Sequence, residues 1–116
     1  MAVSLFMQVP GTSLERYDRA IAGLELDASP PIGEILHIAA EAPDGGVDVC
    51  DVWQTRESAV SFVESRLKPA LKEEGVDTEI HYRIEPLHNL FAPDIETVER
   101  IGAVSLPAHL ARVALV

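Results

Sequence analysis

One stretch, Val47–Leu71, constrains the fold more than any other part of the sequence. Its first residues, VDVCDVW, form an apolar, partly alternating run that predicts a strand ending at Trp53. Thr55 is the predicted N-cap of a following helix, because its hydroxyl can accept a hydrogen bond from a free N–H of the first turn. The helix is amphipathic, and Pro69 predicts a kink or an early stop within it. This unit predicts a helix packed against a sheet.

The residues before this stretch predict a first strand and a first helix. Val3–Val9 places Val3, Leu5, Met7 and Val9 on one face, which is typical of a strand with one apolar side. Thr12 and Glu15 have the spacing of a capping box. A helical stripe of apolar residues follows, and it predicts a helix over Ser13–Leu26.

Two further strands complete the sheet. Glu34–Ala40 is apolar on both faces and predicts a buried strand. The glycine-rich Ala42–Gly46 predicts a hairpin turn into the strand that ends at Trp53. Thr78–Leu87 alternates and predicts a half-exposed fourth strand. The order β-α-β-β-α-β predicts a ferredoxin-like α+β domain with a four-stranded antiparallel sheet.

We expect this domain to cover residues 1–92 and a C-terminal extension to cover residues 93–116. Asp94 predicts the cap of a short helix that carries Ile95, Val98 and Ile101. Ser105–Val116 is apolar and has no acidic residue. An apolar segment is poorly tolerated in water, so we expect it to pack on its own domain or on a partner subunit.

Charge and composition exclude several classes of protein. The chain has 116 residues, enough for one domain, and a net charge of −10. Such a surface repels phosphate backbones and anionic lipids, so neither a nucleic-acid partner nor a membrane partner is predicted. No apolar run reaches the ~20 residues that span a bilayer. The N-terminus lacks the basic segment of a signal peptide, and Cys50 is the single cysteine, so we expect a cytoplasmic protein.

The Val52-Trp53 pair, the helix RESAVSFV after Thr55 and the order of elements together resemble the antibiotic-biosynthesis-monooxygenase-like family. The resemblance implies a homodimeric α/β barrel in which two sheets meet face to face. It also implies a small pocket between the sheet and the helices of each protomer. A physical argument supports the dimer independently. Strands two and three carry apolar side chains on both faces, and two helices cover only one face.

Two positions argue against the haem-degrading branch of this family. That branch has a tryptophan and a histidine nine and nineteen residues after the tryptophan at the strand end. Phe62 and Lys72 stand there in this chain. A protonated lysine cannot replace an imidazole ligand, so haem is not expected. We predict no cofactor, and no motif with the spacing of metal ligands predicts a metal site.

Three residues on the second and third strands are candidates for chemistry. His37 can act as a base, or it can be a core histidine bonded to a polar neighbour. Asp51 can face a pocket and accept a proton, or it can pair with an arginine at a wet strand edge. Trp53 can hold a planar substrate, or it can pack between the sheet and the helices.

Four residues on the first strand or just after the fourth strand are further candidates. His88 and Asn89 follow the fourth strand, and together they can bind an oxyanion. His88 is also a second candidate base. Alternatively, Asn89 can simply complete a turn. Phe6 and Gln8 share a face of the first strand, where they can contact a ligand or face solvent.

The sequence leaves three functions open. The first is a dimeric α/β-barrel protein that binds a small molecule, and the sequence favours it slightly because it has few polar candidates. The second is a cofactor-independent monooxygenase that acts on a small aromatic or quinol, with His37 or His88 as its base. The third is a structural or protein-interaction module in which side chains fill the pocket.

Overall fold

The computed structural model describes residues 1–76 and 79–105, and the side chains of residues 1–76 and 79–100. Thr78 of the predicted fourth strand and residues 106–116 of the predicted apolar tail lie outside this part. The predicted order of elements is confirmed: β1 (Val3–Val9), α1 (Leu14–Gly23), β2 (Glu34–Glu41), β3 (Val47–Trp53), α2 (Arg56–Phe62), a π-helical turn (Val63–Leu67), α3 (Lys68–Glu73), β4 (His81–Pro86) and α4 (Ile95–Ser105).

The four strands form one antiparallel sheet in the order β2-β3-β1-β4. Leu5 of β1 lies between Asp51 of β3 and Ile84 of β4. Because side chains alternate along a strand, this register separates two faces. The inner face, which the helices cover, carries Val3, Leu5, Met7, Val9, Val47, Val49, Asp51 and Trp53. The outer face carries Ser4, Phe6, Gln8, Asp48, Cys50, His81, Arg83 and Glu85.

The hydrophobic core lies between the inner face and the helices. Tyr17 and Ala20 of α1 and Ala59 of α2 are buried against the sheet, and α1 packs beside α3. None of the helices within residues 1–76 and 79–105 is long and apolar enough to cross a membrane. The largest fully buried side chains are those of Trp53, Leu5, Leu71, Val9, Val47 and Val63.

The first helix begins one residue later than a Thr12 cap would require and ends before Leu26. Ser13 is the N-cap, and its hydroxyl accepts a hydrogen bond from the Arg16 N–H at 3.1 Å. The predicted capping box at Thr12 is therefore wrong. The helix ends at Gly23 because Glu25 adopts a left-handed backbone with φ of 50°, which cannot continue a helix.

Pro69 does not end the second helical segment. A π-helical turn precedes it, in which the Lys68 N–H donates to the Val63 carbonyl. Proline cannot donate the usual helical bond and crowds the preceding turn, and a wider turn accommodates both effects. The helix then continues as α3 to Glu73, so the early stop that the sequence favours as one outcome does not occur.

β2 is an edge strand, and the prediction that it is buried is wrong for the isolated chain. Ile35 and Ile38 are 48% and 52% exposed. The apolar pattern of β2 is typical of a central strand, but β3 alone pairs with it. The outer face is also uncovered within the described chain, and Phe6 on it is 36% exposed.

Candidate functional site

Two neighbouring strands bring His37 and Asp51 together on the inner face. His37 of β2 pairs in register with Asp51 of β3. The His37 Nδ1 lies 2.6 Å from Asp51 Oδ1, so the ring donates a short, charge-assisted hydrogen bond to the carboxylate. Asp51 is 5% exposed at its side chain, whereas His37 is 37% exposed. A buried acid therefore orients a histidine that solvent or a ligand can reach.

Two aromatic side chains complete the hydrogen bonds of this pair. Trp53 Nε1–H donates to Asp51 Oδ2 at 3.3 Å, and the indole itself is fully buried. Its ring packs on Phe62 of α2 with centroids 5.4 Å apart. The hydroxyl of Tyr17, on α1, lies 3.2 Å from His37 Nε2. Trp53 thus packs in the core and also holds the second oxygen of Asp51.

The surroundings of His37 make its ring more basic. Burial lowers the pKa of His37, but the hydrogen bond to Asp51 and the charge of that carboxylate together raise it above its ordinary value. With Nδ1–H donated to Asp51, Nε2 is the atom that can accept a proton. This is the arrangement of a general base whose orientation a third group fixes.

Glu34 belongs to the same cluster, and the sequence did not predict it. A register shift between Glu34 and Leu36 interrupts the pairing of β2 with β3. Without it, residues three apart would lie on opposite faces, but with it both Glu34 and His37 pair with inner-face residues. Burial and the nearby Asp51 carboxylate raise the pKa of Glu34 to about 8. Strict alternation along β2 would have assigned Glu34 to the outer face.

Tyr17 is the second residue that the sequence did not predict as part of the site. It appears in the sequence only as one member of the apolar stripe of α1, where it is 4% exposed. Burial, with the charges of Asp51 and Glu34, raises the pKa of Tyr17 well above its usual range. The phenol therefore stays protonated, and its O–H can donate a hydrogen bond to Nε2 of the neutral His37 ring. No local spacing indicates this contact.

Glu34, His37 and Asp51 form a cluster of groups that could bind a metal ion. Its ligand atoms lie within 4.8 Å of one another. However, His37 Nδ1 and Asp51 Oδ1 are only 2.6 Å apart, whereas two ligands of one tetrahedral zinc ion lie about 3.3 Å apart. The geometry fits a shared proton better than a shared cation.

Phe6 and Gln8 lie on the outer face, separated from His37 by the sheet. They line an open cavity of about 630 Å³ together with Ile38, Cys50 and Arg83. The Arg83 guanidinium lies 4.2 Å from the centre of the Phe6 ring, a cation–π contact. This volume is in the range of small-molecule sites. The candidate ligand contacts thus divide between the two faces of the sheet.

His88 and Asn89 are exposed and follow β4. β4 and β2 form opposite edges of the sheet, three strand spacings or about 14 Å apart. The fold therefore does not bring this pair to the His37 cluster. Of the predicted residues, only His37, Asp51 and Trp53 share one site.

The raised pKa of Glu34 predicts a pH dependence of stability. The Glu34 carboxyl holds its proton more tightly in the folded chain than in the unfolded chain, where its pKa is near 4.5. The free energy of unfolding should therefore fall as pH rises from 4.5 to about 8, by at most ~1.4 kcal/mol per pH unit. The raised pKa of His37 acts in the same direction. Urea unfolding across this range measures the slope.

The matched variants for this test are Glu34→Gln and Glu41→Gln. Glu34→Gln should flatten the slope, because the amide does not titrate, while Glu41→Gln at the exposed end of β2 should keep it. An equal slope in Glu34→Gln and the wild type would contradict the assigned pKa.

The sheet order and the helix-covered inner face define a ferredoxin-like α+β fold, which the antibiotic-biosynthesis-monooxygenase-like proteins share. Solved structures with this fold are similar to this chain. A candidate antibiotic biosynthesis monooxygenase from Deinococcus radiodurans has a TM-score of 0.54 at 11% identity, over 81% of this chain and 99% of that one. At this identity the similarity establishes the fold alone.

Two more structures extend the comparison. NE2512 of Nitrosomonas europaea, a protein of unknown function, has a TM-score of 0.60 at 16% identity, over 80% of this chain and 95% of that one. SnoaB of Streptomyces nogalater, a cofactor-independent oxygenase, has a TM-score of 0.54 at 8% identity, over 80% and 97%. No protein-family model and no curated protein sequence matches the chain significantly.

Proposed function

We propose that this chain is an acid–base enzyme of the cofactor-independent oxygenase type, which binds a small aromatic molecule or quinol and removes a proton from its hydroxyl group. The observation that carries the proposal is the 2.6 Å contact between buried Asp51 and partly exposed His37. Asp51 orients the His37 ring, and its partial exposure leaves it open to a ligand. The oxygenase named among the structural neighbours has the same fold and supports the reaction class.

The proposed reaction begins with the removal of a proton from the substrate, so it requires a base. Without a flavin or a metal, the substrate anion itself must transfer an electron to oxygen. His37 Nε2 is the proposed acceptor of the substrate proton, and Asp51 stabilises the imidazolium that forms. The Tyr17 hydroxyl, at 3.2 Å, is long for a bond donated by a hydroxyl. A substrate hydroxyl can replace the Tyr17 hydroxyl as the partner of His37 Nε2, or it can pass its proton to His37 through the Tyr17 hydroxyl.

Oxygen uptake with a panel of hydroquinones, naphthohydroquinones and anthrols tests this function. We expect uptake with at least one of them, matched by the absorbance of the quinone product. If no member of the panel is consumed, and none binds, the oxygenase proposal fails. The filled core around Trp53 would then favour a structural role.

We further propose that the protein is a homodimer in the cytoplasm, with a second copy covering the outer face. Exposed Phe6 and Ile38 would be buried by such a contact. Asp48 Oδ1, on the same face, is buried and has no hydrogen-bond partner within the described chain. A donor from the copy would satisfy it, and the copy offers His81 and Arg83 on its own outer face.

Phe6→Glu should convert the dimer to a monomer, because a charge in the centre of the outer face cannot be buried in the contact. Light scattering coupled to gel filtration measures the mass. The wild type is expected at twice 12.6 kDa and the variant at 12.6 kDa. Ile32→Glu is the matched control, since Ile32 is 88% exposed in a loop and should leave the dimer intact. A wild-type mass of one chain would refute the dimer.

A further inference from the structure

The irregular pairing of β2 places a second acid beside the His37–Asp51 pair. Glu34 pairs with Trp53 and His37 pairs with Asp51, so both point to the inner face although they are three positions apart. Glu34 is only partly exposed, and its carboxyl lies within 4.8 Å of the ligand atoms of His37 and Asp51. A carboxyl group is thus held within reach of whatever binds at His37.

The backbone before Glu34 holds it there. Gly33 has φ of +88°, and its carbonyl accepts a hydrogen bond from the Gln54 N–H at 2.7 Å. A Cβ at Gly33 would lie 2.9 Å from Ser58 Oγ on the first turn of α2. The chain can enter β2 in this way only with a glycine at this position. The location of Glu34 therefore depends on contacts with β3 and α2.

The groups that face Glu34 favour its neutral form. The Asp51 carboxylate on β3 raises the pKa of Glu34, Tyr17 on α1 is a neutral phenol, and His37 on β2 acts in the opposite direction to Asp51. Burial is the largest cause of the raised pKa of Glu34, about 8, and Asp51 adds to it. Two carboxyl groups this close do not both ionise readily at neutral pH. Glu34 therefore holds a proton that it can release.

We propose that Glu34 is the proton donor of this site, acting opposite His37 as the proton acceptor. This assignment rests on the proposed oxygenase function. Glu34 keeps a proton that it can release, and the neutral His37 ring, oriented by Asp51, can take one up, so the two groups can act as acid and base in one site. The site thus contains both the proton acceptor and the proton donor that the proposed reaction requires.

The reaction balances with these two groups alone and molecular oxygen. His37 takes the proton of a phenolic hydroxyl, and the anion adds O₂ at a ring carbon to form a C–O bond and a peroxide anion. Glu34 protonates that anion to the hydroperoxide. The Glu34 carboxylate then removes the hydrogen of the same ring carbon, the O–O bond breaks, and the leaving hydroxide takes the proton from His37. The products are a quinone and water, and both residues return to their starting states.

Infrared spectroscopy tests the proton of Glu34 without any substrate. Near pH 7 the other ordinary carboxyl groups are ionised, so a carboxylic-acid carbonyl band that titrates near pH 8 is expected in the wild type and in Glu41→Gln. Glu34→Gln should lack the band. If Glu34→Gln retains it, or the wild type lacks it at neutral pH, Glu34 is not the proton carrier.

Turnover tests the role separately. With a quinol under anaerobic conditions, the wild type and Glu34→Gln should form the substrate anion equally, because His37 is intact. On admission of oxygen, quinone formation by Glu34→Gln should be slower by about 100-fold, and Glu34→Asp should recover part of the rate. Equal rates would overturn the donor role. Failure of the wild type to form the anion would refute the oxygenase function instead, and the infrared result would still decide the Glu34 proton.

Discussion

Replacing His37 with glutamine is expected to lower kcat/KM for a quinol by about 100-fold or more, with the fold unchanged. Glutamine can still donate a hydrogen bond to Asp51 but cannot accept a proton, so the substrate must lose its proton to water. Such a loss corresponds to about 3 kcal/mol of transition-state stabilisation. Oxygen consumption and quinone absorbance at a fixed pH measure it.

Two further variants make this result specific. Glu41→Gln changes an exposed residue at the far end of the same strand and should leave the rate unchanged. In His37→Gln the residual rate should increase with pH, because hydroxide replaces the missing base. Tyr17→Phe separates two routes for the proton. A lower rate indicates that Tyr17 transfers the proton, and an equal or higher rate indicates that the substrate replaces it. Wild-type rates in His37→Gln would contradict the role of His37.

Trp53→Ala is expected to destabilise the fold by about 3–5 kcal/mol, the largest stability effect we predict. The indole is fully buried and packs on Phe62, so its removal leaves a large cavity. It also removes the donor to Asp51 Oδ2. Because a domain of this size is stable by about 5–15 kcal/mol, the variant should be close to unfolding at room temperature.

Trp53→Phe separates the two contributions. Phenylalanine keeps most of the packing but not the N–H, so the cost should be about 2 kcal/mol, typical of a lost hydrogen bond to a buried carboxylate. Ile32→Ala in an exposed loop should cost less than about 0.5 kcal/mol. Urea unfolding followed by circular dichroism measures all three variants. A loss below about 1 kcal/mol for Trp53→Ala would mean that the core does not depend on the indole.

Local patterns predicted the elements of this fold well. The alternation of β1 and β3 correctly separated Leu5 and Trp53 from Phe6, because a period of two decides the face of a strand without reference to its neighbours. The cap at Thr55 was confirmed, and its side chain accepts from the Ser58 N–H at 3.1 Å. These features depend on residues that are close in the sequence.

Features that depend on distant residues were less accessible. The apolar residues of β2 suggested a central strand, and only the strand order identifies an edge. The cap of α1 differed by one residue because Thr12 and Ser13 are both good caps. The π-helical turn before Pro69 has no simple sequence signal, although a proline within an amphipathic pattern indicated an irregularity there.

In the candidate site too, the sequence indicated the residues that local patterns place and missed those that only packing or strand pairing brings together. His37, Asp51 and Trp53 could be named because they lie on consecutive strands that a hairpin joins. Tyr17 could not, since α1 reaches His37 only through packing. Glu34 could not either, because simple alternation assigns it to the outer face.

The extra residue of β2 has a consequence for how this site can be compared with others. Whether an acid accompanies His37 depends on how the segment from Gly33 to His37 pairs with β3, not only on which residues it contains. A homologous chain of the same length that lacks the register shift would keep the same glutamate, histidine and aspartate and still turn the glutamate outward. Residue identity in an alignment is therefore insufficient to transfer the role of Glu34, and the strand pairing of this segment is the feature to compare.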